Sequence, residues 1–255
     1  MTIHINHDGP ISRVILDKPD QNLLNIETMD QLVEAHREAD AHPETRVIVT
    51  TSALPDMFSN GLDPHYVLNT PVPDRVAIFR AVGRMLHGLF SLGKPHISQI
   101  NGPAMAGGAI LAIASDFRFF DTDSGRMSFS EPKVGLPVPG GVITAINHFC
   151  DRKYLHEIVM LAANMDAATA IKYGLANGMA RGAELGQLVE KTAARLSRLS
   201  PTVLRQTKSN LRSEILPQLE TLANRGDEIL PFVGEGFLSE GLGALVENRF
   251  ANFTK

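Results

Sequence analysis

Three loops concentrate the residues able to do chemistry. The second in chain order is Asn101-Gly102-Pro103-Ala104-Met105-Ala106-Gly107-Gly108-Ala109, between a short apolar run and an apolar helix-forming one. A helix beginning at Gly107-Gly108 presents backbone N–H groups without intrahelical acceptors, together with the positive end of its dipole. Glycine there lets a ligand approach the backbone closely. Such a turn can stabilise negative charge growing on a carbonyl oxygen. Taken alone, the glycine pair fits close helix–strand packing better than ligand binding. It is no phosphate loop, lacking both the Gly-Lys-Ser/Thr ending and the G-x-G-x-x-G spacing.

The other two loops also follow expected strands, where ligands sit in α/β sheets. They are Met57-Phe58-Ser59-Asn60-Gly61-Leu62-Asp63 and the Pro/Gly-rich stretch from Phe129 to Gly141, which contains Glu131, Lys133 and Gly135. Asp63 is expected to cap a helix and His65 to cover the loop. Cys150 reads as buried packing, and Asp116, at the end of a buried helix, as structural. His4, His7, His36 and His42 show no ligand spacing for zinc, so no metal site is expected.

Composition excludes several other classes. The 255 residues are 44% apolar, enough chain for a sizeable core. Net charge is −4 with scattered Lys and Arg, which argues against nucleic acid or an anionic membrane surface as partner. The single Cys150 excludes an intrachain disulfide and a Cys-rich metal site. No signal peptide pattern opens the sequence, and Phe253-Thr254-Lys255 is not a peroxisomal address, so a cytoplasmic protein is expected. Residues 95–115 form the longest uncharged stretch. They read as strand, turn and buried helix rather than as a membrane span.

Stepping outward from the loops, residues 11–16, 46–51, 96–100 and 117–121 read as strands. Asn25 is a fitting N-cap for a helix with Ile26, Met29, Leu32 and Val33 on one face. Helices are expected over 75–90 and 107–115, so strands and helices alternate as in a parallel sheet. Beyond about residue 140 the pattern turns helical, over 141–149, 154–162, 167–173, 183–199, 201–216, 219–230 and 237–248. The fold class is α/β, with a helical C-terminal region.

Taken together, the loops resemble the crotonase (enoyl-CoA hydratase/isomerase) superfamily over nearly the whole chain. The matching residues are Asp17-Lys18-Pro19 with Asn22-Leu23-Leu24-Asn25, Lys94-Pro95, and Ile100 to Gly108 followed by Ala114-Ser115-Asp116. Later come Tyr173-Gly174-Leu175-Ala176-Asn177, Ser200-Pro201 with Lys208, and Glu240-Gly241 with Glu247-Asn248-Arg249-Phe250. The resemblance implies a spiral of ββα units over 1–195 and a helical oligomerisation region over 196–255, assembled as a homotrimer or a dimer of trimers. It implies an acyl-CoA substrate, with coenzyme A part of that substrate and no separate cofactor. By motif position the thioester oxygen meets the backbone N–H groups of Leu62 and Gly107, with Asn60, Gly61, Asp63, Gly108 and Ile110 around the substrate.

Hydratases of this family use two glutamates. The position of one, three residues beyond the oxyanion-hole glycine, is Ile110 here; the other, four residues before the glycine of the third loop, is Glu131. Members keeping only the third-loop glutamate resemble Δ3,Δ2-enoyl-CoA isomerases, in which one carboxylate takes a proton from C2 and returns it at C4. Apolar neighbours Ile110, Leu136 and Val138 are expected to raise the pKa of Glu131. Pro132 departs from the β-branched residue common after that glutamate. The rival expectations are hydration, decarboxylation or thioester hydrolysis through the same enolate, or a non-catalytic acyl-CoA-binding or RNA-binding homologue.

Overall fold

Side chains alternate along the strand at 47–52, and the alternation divides them between two cores. Val47 and Val49 join Ile11, Ile97 and Phe119 in a small cluster, whereas Ile48 points into the main one. A strand buried on both faces is central to its sheet, as the β-branched run Val47-Ile48-Val49 implies.

The computed structural model describes residues 3–224, 227–234 and 236–254. In chain order the elements are β1 (Ile3–Asp8), β2 (Ile11–Leu16), α1 (Ile26–Ala41), β3 (Val47–Ser52), α2 (Pro64–Asn69), α3 (Arg75–Phe90), β4 (His96–Ile100), β5 (Pro103–Met105), α4 (Gly107–Ile113), β6 (Phe117–Asp121) and β7 (Arg126–Ser128). There follow α5 (Gly140–Phe149), α6 (Leu155–Met160), β8 (Met165–Asp166), α7 (Ala167–Lys172), β9 (Gly178–Ala180), α8 (Ala183–Ser197), α9 (Pro201–Arg212), α10 (Leu216–Asn224) and α11 (Phe237–Val246).

The large sheet runs β1-β2-β3-β4-β6-β9, and a small one runs β5-β7-β8. The hairpin β1–β2 is antiparallel, and every later pair in the large sheet is parallel. Two successive passes of the chain each add a strand to the large sheet, one to the small sheet, and then a helix: β4, β5 and α4, then β6, β7 and α5. This is the expected ββα spiral. Leu185, Val189 and Ala193 of α8 cover the smaller core, and α1, α3 and α4 contribute to the larger. Asn25 caps α1 by accepting from the Thr28 amide at 2.8 Å.

Several boundaries differ from expectation. β1 carries too little apolar character to stand out and is set by pairing with β2. β8 and β9 interrupt the expected all-helical half, and β9 completes the large sheet through β6. With two and three residues, neither has a period to detect. The helix expected over 201–216 ends at Arg212, and α10 starts afresh at Leu216. At the break, the Ser213 hydroxyl donates back to the Asn210 carbonyl, competing with the helical ladder. Within the expected helix 219–230, α10 stops at Asn224 and a 3-10 turn spans Asp227–Phe232; Arg225 and Gly226 lie outside the described residues. Among the described residues no helix is long and apolar enough to cross a membrane.

Candidate active site

The loop after β3 is held by a polar hub that sequence reasoning passed over. Asn22 is buried and left-handed at φ 52°, a conformation asparagine tolerates. Its Nδ2 donates to the Phe58 carbonyl at 2.9 Å and to Ser52 Oγ at 2.8 Å. The Ser59 hydroxyl donates to the Asn22 carbonyl, and the Gly61 amide donates to Ser59 Oγ. A bridge to Leu24 fixes the tip: the Leu24 amide donates to the Gly61 carbonyl and the Asp63 amide to the Leu24 carbonyl. A left-handed asparagine inside an otherwise unremarkable turn leaves little trace in sequence beyond the residue type.

The glycine-rich turn docks against this loop. The Phe58 and Ser59 amides donate to the Pro103 carbonyl, and the Met105 amide donates to the Ser59 carbonyl. Gly61 adopts φ +82°, and a Cβ there would stand 2.5 Å from the Met105 oxygen. A Cβ on Gly107 would meet the Leu62 nitrogen at 3.4 Å, so the two backbones bring the Leu62 and Gly107 amides together. Among the described residues neither amide has a hydrogen-bond acceptor. Two adjacent free donors, one of them at the start of α4, can hold an oxygen that gains negative charge.

Ala106, just before α4, is strained at φ 45°, ψ −115°. It is held by its own amide donating to the Ser128 carbonyl and by the Ile110 amide donating to the Ala106 carbonyl. Strain of this sort persists only where surrounding bonds over-determine it, and it sits directly before a candidate donor.

Leu62, Gly107, Asn60, Ile110 and Glu131 all line one cavity of about 320 Å³. Gly61, Asp63 and Gly108, also expected around the substrate, are not among its lining residues. Gly61 turns its α-carbon to the Met105 carbonyl. Asp63 caps α2, accepting from the His65 and Tyr66 amides. Gly108 packs on the loop, since a Cβ there would stand 2.2 Å from the Ser59 oxygen. One glycine of the pair is therefore a packing device, and its neighbour faces the cavity.

Glu131 opens a 3-10 turn, Glu131–Val134, that ends at left-handed Gly135. Pro132 suits the first turn of such a segment, where an amide hydrogen has no intrahelical acceptor. Glu131 is 8% exposed, and its Oε2 has no hydrogen-bond partner among the described residues. Burial pushes its carboxyl up to about 7, against a smaller opposing effect of its own amide. Ile110, 3% exposed, lines the same cavity, as does Leu136. Among the described lining residues Glu131 is the one carboxylate. Lys133 stands exposed on the cavity lining with no ion pair among the described residues, so Glu131 is not a solvated partner of Lys133.

Residues 7–255 match the family described as enoyl-CoA hydratase/isomerase. The chain belongs to this family. A crotonase relative in sequence is a carnitinyl-CoA dehydratase of Salmonella typhi, 28% identical over 213 residues, which are 83% of this chain and 80% of that protein. In fold, human mitochondrial Δ3-Δ2-enoyl-CoA isomerase superposes with a TM-score of 0.92 at 17% identity, covering 97% of this chain and 98% of that one. An enoyl-CoA hydratase of Mycobacterium avium subsp. paratuberculosis gives 0.85 at 21% identity, with 100% and 99% covered. The crotonase core carries further residues in their expected structural roles. Asp116 is the acceptor of a buried cluster, taking Lys208 at 2.8 Å and Arg212 at 2.5 Å, which ties α9 to the sheet. His65 is exposed and off the cavity, and Cys150 is buried. No metal-holding cluster of His, Cys, Asp or Glu occurs among the described residues.

The cavity walls were beyond sequence reasoning. Phe79, Val82 and Gly83 of α3, Leu222 of α10 and Leu238, Leu242 and Leu245 of α11 all contribute. The C-terminal helices thus fold back over the site of their own chain. Amphipathic spacing identified these helices but not which face meets the cavity.

Proposed function

We propose that this protein shifts the double bond of an enoyl-CoA from C3 to C2 through a thioester enolate. One observation carries it: among the described residues one buried carboxylate, with a free oxygen and a raised pKa, shares an otherwise largely apolar cavity with two unpaired backbone donors. The thioester oxygen accepts from the Leu62 and Gly107 amides. The Glu131 carboxylate removes a proton from C2, and the C2–H pair becomes the C1=C2 bond of a dienolate. When the oxyanion collapses, the C1=C2 pair forms C2=C3, and the former C3=C4 pair takes the proton back from Glu131 at C4. Each preorganised donor contributes about 3 kcal/mol where charge develops.

Hydration or dehydration calls for a second group to position water and carry a proton. Ile110, at the position implied for that group, cannot do so. Self-association as a trimer or a pair of trimers belongs to the same proposal, supported by the exposed apolar Val203 and Leu211 of α9. The test is to incubate the protein with 3-enoyl-CoA and with 2-enoyl-CoA and separate the products. Interconversion of the two, lost in Glu131→Gln, is expected. Hydrated product from 2-enoyl-CoA without any double-bond shift would sink the isomerase assignment.

A further inference from the structure

The cavity has a polar mouth and, on one side, a wall of buried apolar side chains. Of its polar lining residues, Asn60, Lys133 and Asn164 are exposed to solvent, whereas Ser128 and Glu131 are buried. Phe79, Val82, Leu222, Ile229, Leu238 and Leu242 line it as buried residues, none more than 9% exposed. These six come from α3 and the C-terminal region, and none has a polar or charged side chain. A group entering between them loses its water and receives no hydrogen bond in return, which admits hydrocarbon and penalises polar ends.

Leu222 is the most constrained member of that wall. A Cβ on Gly141 of α5 would stand 2.8 Å from Leu222 Cδ2, so the side chain is seated directly on the α5 backbone. A Cβ on Gly83 of α3 would stand 3.0 Å from the Leu222 carbonyl carbon and from the Ala223 backbone, so α10 crosses α3 at backbone contact. Leu222 therefore lines the cavity from a position that neither neighbouring helix leaves free to retreat.

We infer that Leu222, buried between Gly83 and Gly141, sets the acyl-chain limit of this site, and that its substrate class is an aliphatic acyl-CoA with an apolar terminus. The inference rests on the acyl-CoA reading of the cavity, and it does not depend on which reaction follows. Each methylene that reaches the interior strengthens binding about fourfold until the wall is met, after which the gain stops. Truncating Leu222 moves that point outward, and enlarging it moves it inward.

The test measures calorimetric binding of saturated acyl-CoAs from butanoyl to hexadecanoyl, beside kcat/KM for the matching 3-enoyl-CoAs, in wild type, Leu222→Ala and Leu222→Phe. Circular dichroism and thermal unfolding confirm that each variant is folded. The optimum is expected to lengthen by about two to three carbons in Leu222→Ala, the volume the truncation frees, and to shorten in Leu222→Phe. An acyl-CoA of optimal length ending in a carboxylate is expected to bind at least about a hundredfold more weakly. Should Leu222→Ala be poorly folded, the shortened optimum of Leu222→Phe decides alone. An unchanged chain-length profile in folded variants, or equal affinity for the carboxylate-terminated chain, overturns the inference. Turnover with an unchanged profile would defeat it while leaving the isomerase reading intact. Chain-length-dependent binding that shifts with Leu222, without turnover, would do the reverse.

Discussion

The backbone of Gly61 lies so close to that of Gly107 that a Cβ on Gly61 would stand 2.9 Å from the Gly107 nitrogen. A methyl group there must displace one of the two loops. Gly61→Ala also places alanine at φ +82°, where a side chain is strained. The variant is expected to lose about 1–3 kcal/mol of stability and at least about a hundredfold in kcat, because a displaced donor no longer meets the developing charge. Thermal unfolding and single-turnover kinetics check both, and an unchanged kcat in a folded variant would contradict the paired-amide arrangement.

The pH dependence of kcat/KM follows from the burial of Glu131. The base must be ionised, and burial holds its carboxyl at about 7 instead of the ordinary 4.5. Isomerisation is therefore expected to rise with pH along a limb centred at about 7, falling about tenfold per unit well below it. A flat profile between about pH 5 and 8 would remove Glu131 as the base.

The same shift predicts a stability change of opposite sense to the activity change. Because the folded-state pKa lies above the unfolded one, the native state holds a proton that the unfolded chain has released between 4.5 and about 7. The stability this group provides is present below that window and is lost as pH rises through about 7. Glu131→Gln should therefore differ little from wild type near pH 4 and be more stable by up to about 3 kcal/mol near pH 8. Urea unfolding at the two pH values measures the difference. A variant destabilised more at high pH than at low pH would show that the carboxylate is favourably paired in the native state.

Ile110 offers a gain-of-function test. Ile110→Glu adds a second carboxylate to the cavity that holds Glu131, and Ile110→Gln adds similar volume and polarity without a base. The ratio of hydration to isomerisation is expected to rise about tenfold or more in Ile110→Glu and to stay unchanged in Ile110→Gln. Both variants should lose about 1–3 kcal/mol from burying a polar group. Equal ratios in the two would show that this position does not control the reaction.

Much of the architecture was legible in local pattern. The strands at Ile11–Leu16, His96–Ile100 and Phe117–Asp121 and the helix Arg75–Phe90 have the bounds that periodicity implies. The reason is that a buried strand leaves a short run of apolar residues bounded by turn residues, and an amphipathic helix leaves a 3.6-residue period. The strand β9 and the separation of α9 from α10 were not legible. One is three residues long, and the other turns on a single serine hydroxyl bonded to the Asn210 carbonyl.

By itself the sequence determined the chemistry on offer: one glutamate in the third loop, an isoleucine at the position the resemblance implies for a second, and Gly61, Gly102, Gly107 and Gly108 in the first two loops. Those are properties of residue type and spacing, and they survive without coordinates. Only the tertiary structure decided that Gly107 faces the cavity while Gly108 packs on Ser59, because the two differ solely in what lies against each α-carbon. It alone showed Asn22 holding the first loop from some 36 residues away in sequence. It also brought Leu222 and Leu238 to the same cavity as Glu131, which is buried there. Burial depends on contacts between distant segments, and the raised pKa of Glu131 follows from burial, which is why no reading of its neighbours in sequence could establish it.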